Sequence, residues 1–154
     1  MLHLFIDGSV DPSSRMGVGA KLALKRIDTS KQNYVSSIKF KEFHDTSSTQ
    51  LEIRTLLWAL DELEVSSLKV YTDSLNIIGL PERRNRLEQS EYLSKNGKLL
   101  NNHHLYREFY IKSDQFNLEL IKVKGHSPGP GHTNIESIFS QVDRASRREL
   151  RERI

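Results

Sequence analysis

Residues 2–27 read LHLFIDGSVDPSSRMGVGAKLALKRI, and their pattern decides what the rest of the chain can build. The apolar run Leu4-Phe5-Ile6 leads straight into Asp7-Gly8-Ser9, as a short strand ending in a turn does. From 17 to 27, Val18, Ala20, Leu22 and Leu24 alternate with Gly19, Lys21, Ala23 and Lys25. A period of two predicts a strand with one buried face. Residues 33–43 repeat the pattern more weakly through Tyr34, Ile38 and Phe40, and the polar stretch 28–32 between them predicts a hairpin. The chain therefore opens with three antiparallel strands.

The period then changes. Leu56, Leu60 and Leu63 share a helical face with Glu52 near its start, and the Ser47-Ser48-Thr49 run ahead of it offers an N-cap. Residues 68–72 are a short strand of β-formers ending in Asp73-Ser74. Leu75, Ile78 and Gly79 predict a short helix stopped by Pro81. Residues 82–98 are highly charged, a helix follows near 102–113, 117–123 alternate as a strand, and the last helix runs from about Asn134 to Arg153. The order β-β-β-α-β-α-α-β-α predicts an α/β fold. Three antiparallel strands and then two parallel ones form a mixed five-stranded sheet with helices packed on it.

The 154 residues suit one domain over 1–154 with one core. Hydrophobic residues at 36% and charged at 28% belong to a globular chain, and the net charge of +3 permits nucleic-acid binding without requiring it. With no cysteine there is no disulfide, thiol nucleophile or Cys-ligated zinc, so a metal would be held by carboxylate and His, the ligands of Mg²⁺ or Mn²⁺. No basic n-region or membrane-length apolar run is present, and the expectation is a cytoplasmic protein without a membrane partner. No oligomer signal is visible, and a monomer is the default.

Four carboxylates stand where structure alone seldom places them. Asp7 and Asp73 end apolar strands, Glu52 lies in the first turns of an apolar helix, and Asp143 flanks the stripe Ile135, Ile138, Phe139, Val142. Unpaired charge at a core boundary is costly, and a cluster of oxygen ligands around Mg²⁺ makes such a set tolerable. Parallel neighbouring strands would bring Asp7 and Asp73 to one end of the sheet, with Glu52 and Asp143 arriving from helices. Two divalent ions about 3.5–4 Å apart, held by such carboxylates, are the chemistry of phosphodiester hydrolysis.

Five segments carry a resemblance to ribonuclease H, type 1: Phe5-Ile-Asp-Gly-Ser9, Thr49-Gln-Leu-Glu52, Tyr71-Thr-Asp-Ser74, Lys124-Gly-His126 and Val142-Asp-Arg-Ala-Ser-Arg147. They occur in the family's order over essentially the whole chain. The resemblance implies a ribonuclease H-like fold and an enzyme that cleaves the RNA strand of RNA–DNA hybrids, leaving 5′-phosphate and 3′-hydroxyl ends. It implies that Asp7, Glu52, Asp73 and Asp143 bind two Mg²⁺ ions, for which Mn²⁺ can substitute. His126 matches the family's loop histidine, which assists proton transfer or product departure, a task open to histidine because an unperturbed imidazole exchanges protons near neutral pH.

The chain also departs from the family pattern. The turn after Asp-Gly-Ser is Val10-Asp-Pro-Ser-Ser14, and the Asn-containing segment before the helix glutamate is Ser47-Ser48-Thr49-Gln50-Leu51. Ser48 and Gln50 then inherit the contacts to the RNA strand, whose 2′-hydroxyls identify it. The spacing from His126 to Asp143 is longer than in the common bacterial form. The family's Trp- and Lys-rich handle is represented by 82–98, where Arg83, Arg84, Arg86, Lys95 and Lys98 face Glu82, Glu88 and Glu91; the three arginines are the candidate contacts to the DNA strand. The single Trp58 reads as core. Asp143 has a bland alternative in an exposed i,i+4 pair with Arg147, His126 has His132 as a neighbour able to replace it, and the arginines at 144–153 read as a solvated face with phosphate contact as the alternative. Two other functions stay open: a non-catalytic nucleic-acid-binding relative of the same fold, and a related nuclease with a different substrate.

Overall fold

The structure, a computed structural model, describes residues 1–28, 32–124 and 134–154. Its sheet is built from β1 (Leu2–Asp11), β2 (Met16–Leu24), β3 (Lys39–Phe43), β4 (Ser67–Thr72) and β5 (Asn117–Lys122) in the order β3-β2-β1-β4-β5. β1–β2 and β2–β3 pair antiparallel, while β1–β4 and β4–β5 pair parallel. The expected three-plus-two arrangement is the one found.

Alternation along β1 divides the interior in two. Leu4 and Ile6 point to one face, where they pack with Leu56, Leu60, Leu68, Val70 and Phe109. Phe5 points to the other and packs with Leu22, Tyr71, Phe139 and Val142. The first face is covered by α1 (Ser48–Asp61) and α4 (His103–Gln115), the second by α5 (Asn134–Arg153). Every buried leucine or isoleucine side chain contributes roughly 1.5–3 kcal/mol relative to exposure, so these two faces supply most of the drive for the layered architecture.

α1 sits unusually close to β1 and β2 because glycines face it. A Cβ on Gly19 would lie 2.4 Å from Thr55 Oγ1, and one on Gly8 would lie 2.9 Å from Leu51 Cδ2. Thr55 cannot simply turn away, since its hydroxyl donates to Leu51 O at 2.7 Å within the helix. The close approach brings the first turns of α1 against the middle of β1. At the helix start, Ser47 Oγ accepts from the Gln50 amide at 3.2 Å, the expected cap.

Four expectations need correction. The first strand does not turn at Asp7-Gly8-Ser9 but stays paired with β2 as far as Asp11 opposite Met16, so Asp7 lies in mid-strand. The third strand covers only Lys39–Phe43, because Val35–Ser37 form a 3₁₀ turn and the Tyr34 amide donates to Gln141 Oε1 at 2.7 Å instead of to a sheet neighbour. Pro81 does not end a helix. It occupies the first turn of α3 (Leu80–Gln89), directly after the single-turn α2 (Leu75–Ile78), where its missing N–H costs nothing. α3 itself is an additional helix; its sequence LPERRNRLEQ buries only Leu80 and Leu87, too few apolar positions to reveal a 3.6-residue period.

Candidate functional site

The parallel pairing of β1 and β4 fixes the centre of the site. Phe5 is level with Tyr71, so continuing the same register sets Asp7 level with Asp73, just past the end of β4. Asp7 keeps the face of Phe5, the α5 side, and there its carboxyl hydrogen-bonds Asp143. Asp143 is itself buried, although Arg147 one turn later on α5 forms an ion pair with it. The bland i,i+4 pair and the convergence on Asp7 thus coexist.

Glu52 comes from α1 on the opposite face. Asp73 links the halves, since its charge acts on both Asp7 and Glu52. A small hollow has Asp7, Glu52 and Asp73 in its lining. Ser74, the N-cap of α2, receives the Ile77 amide at 3.2 Å and donates its hydroxyl proton to Glu52 Oε2 at 2.5 Å. On the α5 side, Ser9 and Ser146 hydroxyls lie 3.1 Å apart, and the fully buried Ser146 donates to Asp143 O at 2.9 Å. Two hydroxyl clamps therefore position carboxylate-bearing elements, Ser74 for Glu52 and Ser146 for α5 against β1.

The electrostatics follow from this crowding. Burial pushes the Asp7 carboxyl well above the usual carboxylate range. The hydrogen bond shared with Asp143 and the charges of Asp73 and Asp143 push the same way, and the Gly8 amide opposes them. Burial also raises Glu52, with Asp73 adding to it and the Ser74 hydrogen bond holding it down. Like charges without a shared counter-ion hold protons more tightly.

A divalent ion fits this donor set chemically. All four side chains are hard oxygen donors on separate elements, and an ion would offset the mutual repulsion that raises Asp7. Among the described residues no three acidic or histidine side chains already form a group that could hold a metal. Glu52 is turned to Ser74, and Asp143 is shared between Asp7 and Arg147.

The remaining candidates are placed as follows. Ser48 is exposed and Gln50 half-buried at the start of α1, the end that carries Glu52; Gln50 Nε2 donates to Asn102 Oδ1 at 3.0 Å. Arg83 donates to Asn76 O at 2.7 Å and Asn76 Oδ1 at 2.9 Å. Arg84 forms a two-pronged pair with Asp114, at 2.7 and 2.8 Å, and bonds Glu88 at 2.6 Å. Arg86 is exposed on the same helix. These arginines belong to α3, and none is in the lining of the hollow with Asp7, Glu52 and Asp73. His126, with its neighbour His132, lies outside the described residues. Trp58 is half-buried rather than core; its ring lies 4.4 Å from Lys21 Nζ, and its indole N–H donates to Glu62 at 2.7 Å.

Sequence reasoning passed over Ser74 and Ser146 as working parts. Their only signal was position: Ser74 directly follows Asp73, and Ser146 lies three residues, one helical turn, after Asp143.

Comparison with known proteins bears on this arrangement. No curated protein matches the sequence. In fold, the chain is similar to one in the structure of the foamy viral protease-reverse transcriptase in complex with dsDNA. The TM-score is 0.63 at 10% identity, over 94% of this chain and 91% of that one. The family model for RNase H aligns with residues 1–149, a span that takes in β1, α1, the end of β4 and the part of α5 that carries Asp143. On that match across nearly the whole chain, the protein belongs to the RNase H family.

Proposed function

We propose that the chain is a metal-dependent endoribonuclease that hydrolyses the RNA strand of RNA–DNA hybrids and leaves 5′-phosphate and 3′-hydroxyl ends. The observation that carries this reading is the mutual approach of Asp7, Asp73 and Asp143, with Glu52 under the same Asp73 charge. A protein that only bound nucleic acid would gain nothing from buried carboxylates facing phosphates. Family membership supports the same activity class.

In this reading Asp7, Glu52, Asp73 and Asp143 hold two Mg²⁺ ions, with Mn²⁺ as a substitute. When bound, such ions lower the pKa of a water and neutralise charge on the leaving oxygen. The chain's own residues do the rest. Asp7 and Asp143 would trade their mutual hydrogen bond for ligation. Ser74 holds Glu52 in one rotamer through a charge-assisted hydrogen bond. Ser48 and Gln50, at the same end of α1 as Glu52, meet the RNA 2′-hydroxyls, and exposed Arg86, with Arg83 and Arg84 behind it, meets the DNA strand. His126 exchanges the proton of the departing product.

The test is a labelled substrate panel of RNA–DNA hybrid, duplex RNA, duplex DNA and single-stranded RNA, each with Mg²⁺, Mn²⁺ or chelator. Cleavage confined to the hybrid's RNA strand and abolished by chelator is expected. Cleavage of another substrate in preference would replace hybrid specificity with a different nuclease activity.

The second reading is a non-catalytic nucleic-acid binder of the same fold. Thermal melting against Mg²⁺ separates the two. A bound ion at a hundred times its Kd stabilises by about 2.7 kcal/mol. A melting temperature that rises with millimolar Mg²⁺ supports the enzyme, and a flat response supports the binder.

A further inference from the structure

The second half of α5 carries arginines at 144, 147, 148 and 151, the spacing i, i+3, i+4, i+7 of a single helix face. All four are exposed. At about 100° per residue they occupy a stripe from roughly 40° to 140° around the axis from Asp143. The buried residues Phe139, Val142, Ser146 and Leu150 lie on the other side of Asp143. Asp143 therefore sits on the border between the packed face of α5 and the arginine stripe, and the stripe begins in the same turn as a proposed catalytic carboxylate.

Ordinary explanations cover only part of this stripe. Attraction of cations to a helix C-terminus is confined to the last turn, which accounts for Arg151 and Arg153. Internal pairing accounts for Arg147, with Asp143, and for Arg153, with Glu42 and Glu149. Among the described residues no ion pair involves Arg144 or Arg148, both more than a turn from the helix end. Guanidinium groups match phosphate oxygens in a fork geometry that a lysine does not offer. The chain, otherwise mixed in its use of Lys and Arg, has only arginine along this face.

We infer that the α5 stripe Arg144, Arg148 and Arg151 is a second track for the phosphate backbone of the nucleic acid, running away from the carboxylate site on the side opposite the α3 arginines' element. This inference rests on the proposed reading for the kind of duplex bound. From Arg144 to Arg151 the helix rises about 10 Å, which matches about three phosphates along one strand. Arg147 is left out of the track because Asp143 already engages it.

The test compares the full chain with the triple variant Arg144→Gln/Arg148→Gln/Arg151→Gln, with Arg144→Lys/Arg148→Lys/Arg151→Lys as the charge-preserving control. Binding to an RNA–DNA hybrid and to duplex DNA is measured in chelator over a range of salt, and cleavage of the hybrid is measured at saturation. Each phosphate contact contributes about 0.9 to the slope of log K against log salt on B-form duplex. The Gln variant is expected to lose about 2 to 3 from that slope and to bind at least tenfold more weakly at low salt. The Lys variant should keep the parental slope. A Gln variant with the parental slope, or a parent that binds neither duplex, overturns the track. Failure of the functional reading looks different: the parent would bind with a steep slope and leave the hybrid uncut in Mg²⁺ and Mn²⁺.

Discussion

Ser74 Oγ donates to Glu52 Oε2 at 2.5 Å, and the same oxygen accepts the Ile77 amide at 3.2 Å. One hydroxyl thus starts α2 and fixes a carboxylate that belongs to α1. Ser74→Ala removes both. Loss of the cap costs about 0.5–2 kcal/mol. Loss of a hydrogen bond that orients a metal-ligand carboxylate costs about 10–100-fold in metal affinity or activity. The expected variant is folded, slightly less stable, and needs markedly more Mg²⁺ for half-maximal cleavage. Unchanged Mg²⁺ dependence would leave Ser74 a cap and nothing more.

Asp7 ties function to a stability cost. Its folded-state pKa lies above the unfolded value, so between the two the native protein binds more protons than the unfolded chain. Stability from this group is then greatest below the ordinary carboxylate pKa and is lost as pH rises toward the raised value. Asp7→Asn removes the titration. In chelator the variant should melt above the parent at pH 7–8, and the difference should shrink as pH falls below about 4, where both side chains are uncharged. Melting curves from pH 3 to 8 check this. A variant less stable than the parent at pH 7 would mean that the native Asp7 charge is well compensated.

Gly19 makes room for Thr55, and through it for the position of Glu52 one turn earlier on α1. Gly19→Ala would put a methyl 2.4 Å from Thr55 Oγ1. Overpacking of this kind costs about 1–3 kcal/mol. Denaturant unfolding should show that loss, together with reduced cleavage because α1 is lifted from the sheet. Retained activity with lowered stability would show that Glu52 tolerates the shift.

The sheet was legible in the sequence wherever side chains alternated. β2 and β5 announced themselves by period two, β1 by its apolar run Leu4-Phe5-Ile6, and α5 by its apolar stripe, over the same residues 134–153 that form it. α3 was hidden because it is held by only two buried leucines and by surface pairs such as Arg84 with Asp114, contacts between residues 30 apart that no local pattern reports. The third strand shortened because a tertiary contact from Gln141 took the Tyr34 amide. The carboxylates were legible as charges set against apolar runs. Their partners Ser74 and Ser146 were not, since serines near helix starts and inside helices are commonplace and only the fold shows which hydroxyl meets which carboxylate-bearing element.

The most direct test of the central claim uses a hybrid labelled on its RNA strand, with the parent and the Asp7→Asn and Asp73→Asn variants side by side in Mg²⁺. RNA-strand cleavage by the parent, yielding 5′-phosphate and 3′-hydroxyl ends, is expected, and none by either variant while both stay folded. Full activity in either variant would contradict it, as would a folded parent that leaves the hybrid intact in both Mg²⁺ and Mn²⁺.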